Sequence, residues 1–146
     1  MANNITWSAA PTSRGTVLTT ELNALANAGY SAAGSEYDNT TNLAEYAAAH
    51  IALASLNPTA GAYIALFIVQ ELAATYEDAP SSTNPGWGRA IWADSVATGS
   101  AAKNIATCWF RIPPGKMKFV LYNATNVQLG ASGSTVTLYT ANDTLP

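Results

Sequence analysis

Charged residues are scarce in this chain. Asp, Glu, Lys and Arg make up 10% of it, whereas an ordinary soluble domain contains roughly 25%. A free monomer normally relies on interspersed surface charge for solubility. The composition therefore favours a subunit that lies against other protein, and it leaves few candidates for a general acid, a general base or a metal ligand.

Basic residues are especially few. There are 6 Lys and Arg against 9 Asp and Glu, the formal net charge is −3, and the sequence pI is about 4.8. A surface that binds nucleic acid needs clustered Lys and Arg, and here they are scattered along the chain. We therefore predict no nucleic-acid partner.

Cysteine and histidine are each represented by a single residue, Cys108 and His50. One cysteine forms no intrachain disulfide, so nothing indicates an oxidising compartment. Because Cys108 is followed by Trp109 and Phe110, we predict a buried, inert thiol. The usual zinc ligand sets are not available, and we expect no metal, no cofactor and no catalytic residue.

The acidic residues that occur in pairs do not indicate a catalytic or calcium-binding site either. Glu36 with Asp38, and Glu77 with Asp78, are pairs of the kind that serve glycosidases or calcium sites. Both stand in segments rich in turn-forming residues, and we interpret them as solvated loop charges. The chain is accordingly not expected to be an enzyme.

Long hydrophobic runs are also missing. The most apolar stretch, residues 60–69, is too short to cross a bilayer. The first fifteen residues contain neither the basic nor the apolar region of a signal peptide. We expect synthesis in a cytoplasm and no membrane partner.

What the chain does have is apolar and aromatic content, with 49% hydrophobic residues, 4 Trp, 7 Tyr and 3 Phe among 146 residues. That length predicts one domain with a sizeable core. Residues 1–15 are polar, with Trp7 as a lone large side chain, and are predicted to be an N-terminal arm. Residues 16–146 are predicted to be the single domain.

A short helix is predicted over residues 16–28. Leu18, Leu22 and Leu25 recur at the spacing of one helical face, and Gly29 follows as a stop signal.

Short segments separated by turn signals follow from Tyr30 onward, which is typical of an all-β domain. We predict a mainly β fold, an antiparallel β-sandwich of jelly-roll or immunoglobulin-like kind. Its C-terminal third is predicted to form a meander of consecutive antiparallel strands. The predicted strands span residues 43–56, 62–72, 90–96, 105–112, 117–122 and 134–140.

A long loop rich in Pro, Gly, Ser and Asn separates two of these strands, and its residues 76–88 include Tyr76 and Trp87. Long ordered loops tend to contact partners, and Trp is enriched among residues that dominate binding energy. Trp7, Tyr76 and Trp87 are therefore predicted to be partner-contact residues. Trp92 and Trp109 lie in predicted strands and are interpreted as core residues.

The segments GTVLTTELNALANAGYSA, DNTTNL, LNPTAGAYIALFI and IPPGKMKFVLYNATNVQLGASGSTVTLYTAND together resemble capsid decoration, or cement, proteins of tailed bacteriophages. The likeness runs from about Arg14 to Asn142. It implies a β-sandwich subunit on the outer surface of the virion head. Such a subunit forms homodimers or homotrimers and bridges neighbouring major capsid proteins.

Two other functions stay open at this point. The chain is also compatible with a tail or head-fibre adaptor of the virion. A carbohydrate-binding β-sandwich module is the third possibility, because an exposed tryptophan such as Trp87 can stack on a sugar ring.

Overall fold

The structure is a computed structural model that describes residues 6–7 and 10–144, with only the backbone described at residues 6, 7, 143 and 144. Short 3₁₀ turns are present at Thr20–Leu22 and Trp87–Arg89. The strands are β1 (Thr6–Trp7), β2 (Thr12–Leu18), β3 (Gly29–Tyr30), β4 (Tyr37–Asp38), β5 (Tyr46–Leu53), β6 (Tyr63–Leu72), β7 (Thr75–Tyr76), β8 (Ala90–Ser95), β9 (Lys103–Ala106), β10 (Phe110–Arg111), β11 (Lys116–Ala124), β12 (Thr135–Ala141) and β13 (Asp143–Thr144).

The long strands form two antiparallel sheets. In the first sheet the order is β10-β5-β12-β2, and β9 also pairs with β5. In the second sheet the order is β3-β11-β6-β7, with β4 also paired to β11 and β8 to β6. The mainly β prediction is thereby confirmed.

One apolar core joins the two sheets. On β5, the inward positions are buried and alternate with half-buried outward positions, as expected of a strand with one face on a core. The second sheet contributes every other residue of β6 and β11 to the same cluster. The main contributors are Ala47, Ala49, Ile51, Leu53, Val136 and Leu138 from the first sheet, and Ile64, Leu66, Ile68, Met117, Phe119 and Leu121 from the second.

Two buried asparagines hold the loops at the ends of the sheets. The Asn123 Nδ2 donates to the carbonyls of Leu25, Ala26 and Val127 at 2.9–3.1 Å. The Asn39 Nδ2 donates to the carbonyls of Ala44 and Pro113, both at 3.0 Å. A buried carbonyl without a hydrogen-bond partner lowers the stability of the fold. Because each asparagine side chain supplies that partner to carbonyls of two separate segments, it holds those segments together.

The helix predicted over residues 16–28 is wrong. The first residues of that segment complete β2, which pairs with β12, and only the short turn Thr20–Leu22 is helical. Positive φ angles of 52° at Ala24 and 56° at Ala28 are incompatible with a right-handed helix. Leu18 and Leu22 are nevertheless both buried, so the leucine spacing identified core residues but not their backbone conformation.

The predicted arm lies partly within the first sheet. Thr12 and Ser13 pair with Thr140 and Tyr139 of β12, so the boundary predicted at residues 15/16 falls inside β2. The backbone of Trp7 pairs with that of Asp143. The side chain of Trp7 and residues 1–5, 8 and 9 lie outside the described residues, and the arm stays a prediction there.

The predicted meander is also wrong. Strands β10 and β12 both pair with β5 in the first sheet, whereas β11, between them in the chain, pairs with β6 in the second. The chain thus crosses from one sheet to the other at each connection. Local alternation identified the strands, but it does not encode which strands are neighbours.

The strand predicted over residues 105–112 is divided into β9 and β10. Between them the Thr107 Oγ1 accepts a hydrogen bond from the Ala49 amide at 2.9 Å, and the Thr107 amide donates to the Ala49 carbonyl at 2.9 Å. This inward-turned threonine interrupts the ladder and leaves Cys108 exposed. The prediction of a buried thiol is therefore wrong, and Trp109 is 38% exposed rather than a core residue. Trp92, by contrast, packs against the core.

Candidate interaction face on the second sheet

The outward face of the second sheet is unusually apolar. Ala65, Phe67 and Val69 of β6 and Val120 of β11 form a second cluster, and each is at most 2% exposed. These residues point away from the core shared by the two sheets. An apolar face of this size needs cover, because leaving it in water costs roughly 25 cal/mol per Å².

Part of that cover comes from residues 77–89, between β7 and β8, and part from Tyr30, Tyr76 and Tyr122. Ala79 of this loop and Tyr76 just before it pack against the second cluster. The Tyr30 hydroxyl donates to the Pro85 carbonyl at 3.3 Å, and the Ser81 amide donates to the Asn84 carbonyl at 2.8 Å. The loop predicted to contact partners is therefore packed on the domain itself.

Arg89 ties the two ends of the loop together. Its Nη1 donates to the Asp78 carbonyl at 2.7 Å and lies 3.0 Å from the Glu77 Oε2. Gly86 has a φ of 60°, and a Cβ added there would lie 2.9 Å from the Arg89 Nη2. A side chain at position 86 would be strained by the left-handed backbone, and its Cβ would require the Arg89 guanidinium to shift.

Trp87 follows Gly86 and stands at the edge of a group of rings. We define the aromatic patch as Tyr30, Tyr63, Phe67, Trp87 and Tyr122. The Trp87 ring lies 5.4 Å from Tyr122, 5.5 Å from Phe67 and 6.5 Å from Tyr63, measured between ring centroids. Trp87 remains 47% exposed, so one large apolar side chain is held in a fixed position at the surface.

Tyr30 and Tyr122 of the patch keep their protons. Burial raises the pKa of Tyr30 above its usual value, and the neighbouring Tyr122 and Tyr63 raise it further. Burial likewise raises the pKa of Tyr122, whose ring lies against that of Trp87. These two tyrosines therefore add uncharged hydroxyls to the patch.

A polar cluster occupies the other end of the same face. The Tyr76 hydroxyl donates to the Glu36 Oε2, and the Lys116 Nζ lies 3.2 Å from the Glu36 Oε1. The Lys118 Nζ lies 4.5 Å from the Tyr76 ring centroid. The hydrogen bond from Tyr76 and the nearby Lys116 lower the pKa of Glu36, whereas burial and then Glu36 raise the pKa of Tyr76.

Two of the three predicted contact residues share this face. Tyr76 packs on the second cluster, and Trp87 belongs to the aromatic patch. The prediction missed Tyr30, Tyr63 and Tyr122, which become neighbours only when β3, β6 and β11 pair. Tyr122 has a sequence signal, because it occupies an outward position of β11, whose residues alternate, whereas β6, which carries Tyr63, is apolar on both faces.

The outward face of the first sheet has a different character. Its half-buried positions on β5 and β12 are small, hydroxylated or aromatic: Tyr46, Ala48, His50, Ala52, Thr135, Thr137 and Tyr139. A shallow groove of about 360 Å³ is lined there by His50, Trp109 and Tyr139 together with alanines. The strand predicted over residues 43–56 is found as Tyr46–Leu53, and its residues alternate between buried and half-buried positions.

Comparison of the chain with protein-family models, with curated proteins and with solved structures found no match.

Among the side chains that the structure describes, no three from His, Cys, Asp or Glu come together as a group able to hold a metal ion. Over the same part of the chain, none of the helical segments has the length and apolar character needed to cross a membrane.

Proposed function

We propose that this protein is a structural subunit of a tailed-bacteriophage virion, a decoration protein that binds the outer surface of the head. It stabilises contacts between major capsid proteins and associates with other copies of itself. The observation that carries the proposal is Trp87, 47% exposed within an aromatic patch on a loop held by Arg89. The resemblance of the sequence to decoration proteins supplies the biological setting.

Trp87 has the features of a residue that dominates a protein interface. Hot spots are enriched in Trp and lie in well-packed surroundings from which partner binding excludes water. Neighbouring rings fix the orientation of Trp87, so little side-chain entropy is lost when a partner covers it. Tyr76 lies on the same face and extends the contact surface towards Lys118.

Low charge suits this role. Desolvating an ion costs several kcal/mol, and the outward positions of β5 and β12 include no Asp, Glu, Lys or Arg. That face can therefore lie against another copy of the subunit without stranding a charge, while the capsid contact is assigned to the second sheet. A jelly-roll connection of the two sheets and an N-terminal arm that lies along a neighbour are part of the proposal.

The mechanism is mechanical. A stable protein–protein contact buries on the order of 1,600 Å², and a decoration protein repeats such a contact many times over one shell. Repetition supplies avidity even where each contact is modest. The bound subunits then resist separation of neighbouring capsid proteins under internal pressure.

Uptake by capsids tests the proposal. The purified protein is mixed with expanded, undecorated heads of the phage whose genome encodes it, and bound copies are counted after sedimentation. We expect saturable, stoichiometric binding that Trp87→Ala weakens at least tenfold. Trp109→Ala, which removes another exposed tryptophan from the opposite side of the domain, is the matched control and should change binding less than threefold.

Two results would contradict this proposal. If the protein binds tails and shows no saturable binding to heads, it is an adaptor and not a decoration protein. Equal losses for the two tryptophan variants would contradict the assignment of the contact to the second sheet.

A carbohydrate-binding module is the second candidate, and the uncharged hydroxyls beside Trp87 favour it. An indole ring stacks on the apolar face of a pyranose while nearby hydroxyls bond to its edge. Binding to a glycan array that disappears in Trp87→Ala but survives in Trp109→Ala would support this function over the structural one.

A further inference from the structure

A second feature lies next to the loop that carries Trp87. An open cavity of about 320 Å³ is formed where β6 and β8 of the second sheet meet the end of β10 in the first. Its polar lining comes from Gln70, Glu77, Arg89 and Arg111, and its apolar lining includes Ile68 and Ile91. A volume of this size is within the usual range for small-ligand pockets.

The carboxylate in this cavity is already neutralised. The Glu77 Oε2 lies 3.0 Å from the Arg89 Nη1, and the Glu77 Oε1 accepts a hydrogen bond from the backbone N–H of Gln70 at 2.9 Å. Arg89 is also held by the Asp78 carbonyl and packs against Gly86. Glu77 therefore holds Arg89 in place at the wall of the cavity, and its own negative charge is paired.

Arg111 supplies a second guanidinium. Its Cζ lies 5.7 Å from the centroid of the Tyr46 ring, a cation–π arrangement that orients the side chain. Among the described residues it pairs with no carboxylate, since the ion pairs there are Arg89 with Glu77 and Lys116 with Glu36. With two arginines against one glutamate, the lining carries a net charge of +1.

We propose that this cavity binds an oxyanion, a carboxylate or a phosphate group, through Arg111 and Arg89. A guanidinium presents its donors in a planar fork that matches the oxygens of these groups. The apolar side chains Ile68, Ile91 and Pro113 complete the lining of this open cavity, at whose rim Arg111 is exposed to solvent. Gly88 lines the cavity directly after Trp87, so a partner covering Trp87 can place an acidic side chain in it.

This binding is a property of the isolated protein and does not depend on the proposed virion role. The test is an NMR titration of the ¹⁵N-labelled full chain with acetate in one arm and inorganic phosphate in the other, at constant ionic strength. We expect saturable shifts of the Arg111 and Arg89 Nε–H signals and of the Gly88 amide. The arm with the lower Kd identifies which of the two oxyanions the cavity prefers.

Charge-matched variants separate a site from general charge attraction. Arg111→Gln should weaken binding at least tenfold, and Arg111→Lys should weaken it less, because it keeps the charge but loses the fork. Lys103→Gln removes one positive charge near Thr98 and Gly99, outside the cavity lining, and should leave Kd within twofold. The amide spectrum of each variant verifies that it is folded.

Two results would overturn the proposal. One is the absence of saturable shifts at Arg111 and Arg89 with both anions. The other is an equal loss of binding in Arg111→Gln and Lys103→Gln, which would indicate unspecific attraction of anions to a positive surface.

Discussion

The outward faces of the two sheets differ in the residues that they present and in how those residues are buried. On the second sheet, β6 and β11 turn apolar residues such as Phe67 and Val120 outward, and Tyr30, Tyr76 and the loop of residues 77–89 cover them. On the first sheet, the outward residues of β5 and β12 are alanines and threonines interspersed with Tyr46, His50 and Tyr139. One face is buried under its own chain, and the other remains half-buried.

This difference separates the part of the domain that adds stability from the part that can bind a partner. The buried outward face of the second sheet acts as a second core, and packing against it holds Trp87 in place. A face of small residues adds little folding energy, but it lets another surface approach closely. Substitutions on the two faces should therefore differ strongly in their cost to stability.

Phe67→Ala tests whether the covered face is a true core. Phe67 is fully buried outside the main core, and truncation of a buried Phe usually costs about 3–5 kcal/mol. We expect a loss in that range by urea denaturation, similar to that of Phe119→Ala in the main core. A loss below about 1.5 kcal/mol for Phe67→Ala alone would show that the loop is a loose cover.

Trp87→Ala should cost less. Its ring contacts three others but is 47% exposed, and an aromatic pair contributes about 0.5–1.5 kcal/mol. We expect a loss of about 1–2 kcal/mol in thermal or chemical denaturation, with the fold retained. A variant that no longer unfolds cooperatively would show that Trp87 is a core residue and not a surface contact.

The polar end of the covered face predicts a pH dependence. Because the hydrogen bond from Tyr76 and the nearby Lys116 lower the pKa of Glu36 below 4.5, the unfolded chain takes up the proton first as the pH falls. The stabilisation of the folded state by ionised Glu36 is present above about pH 4.5 and is lost as the pH falls through the lowered pKa of Glu36. Between pH 6 and pH 3, the Tm of Glu36→Gln should therefore fall less than the Tm of the wild type.

A matched control isolates that effect. Glu45→Gln removes an exposed carboxylate beside the first sheet and should follow the wild-type pH profile. The same acid-induced loss of Tm in Glu36→Gln and in the wild type would contradict the role given to Glu36.

Ala52→Lys tests the other face and should do almost nothing. Ala52 is half-buried on the outward side of β5, opposite Thr135 and Asn104. Surface substitutions of this kind usually change stability by less than about 0.5 kcal/mol. A loss above about 2 kcal/mol in urea denaturation would show that this face is packed like the covered one.

The comparison also shows what the sequence could and could not predict. The alternation of β5 and β12 and the apolar character of β6 are local patterns, and they identified these strands correctly. The leucines at positions 18, 22 and 25 fit a helical period by coincidence, since pairing with β12 and the positive φ of Ala24 override it.

The candidate site was predicted only in part, for a related reason. Trp87 and Tyr76 have a composition signal, a large aromatic residue in a long polar loop. The cavity between Arg89 and Arg111, and the contact of Tyr30 with Tyr122, join segments far apart in the chain. Such contacts are set by strand neighbours, which local patterns do not encode.

The position of β12 has a consequence for biosynthesis. This late strand lies between β2 and β5 in the first sheet, so a nascent chain that ends before Thr135 has neither neighbour paired along that side. Unpaired strand edges promote aggregation, and pairing over long sequence separations is slow. The first sheet is therefore complete only once Thr135–Ala141 has joined it, and a chain truncated before Thr135 leaves the facing edges of β2 and β5 unpaired.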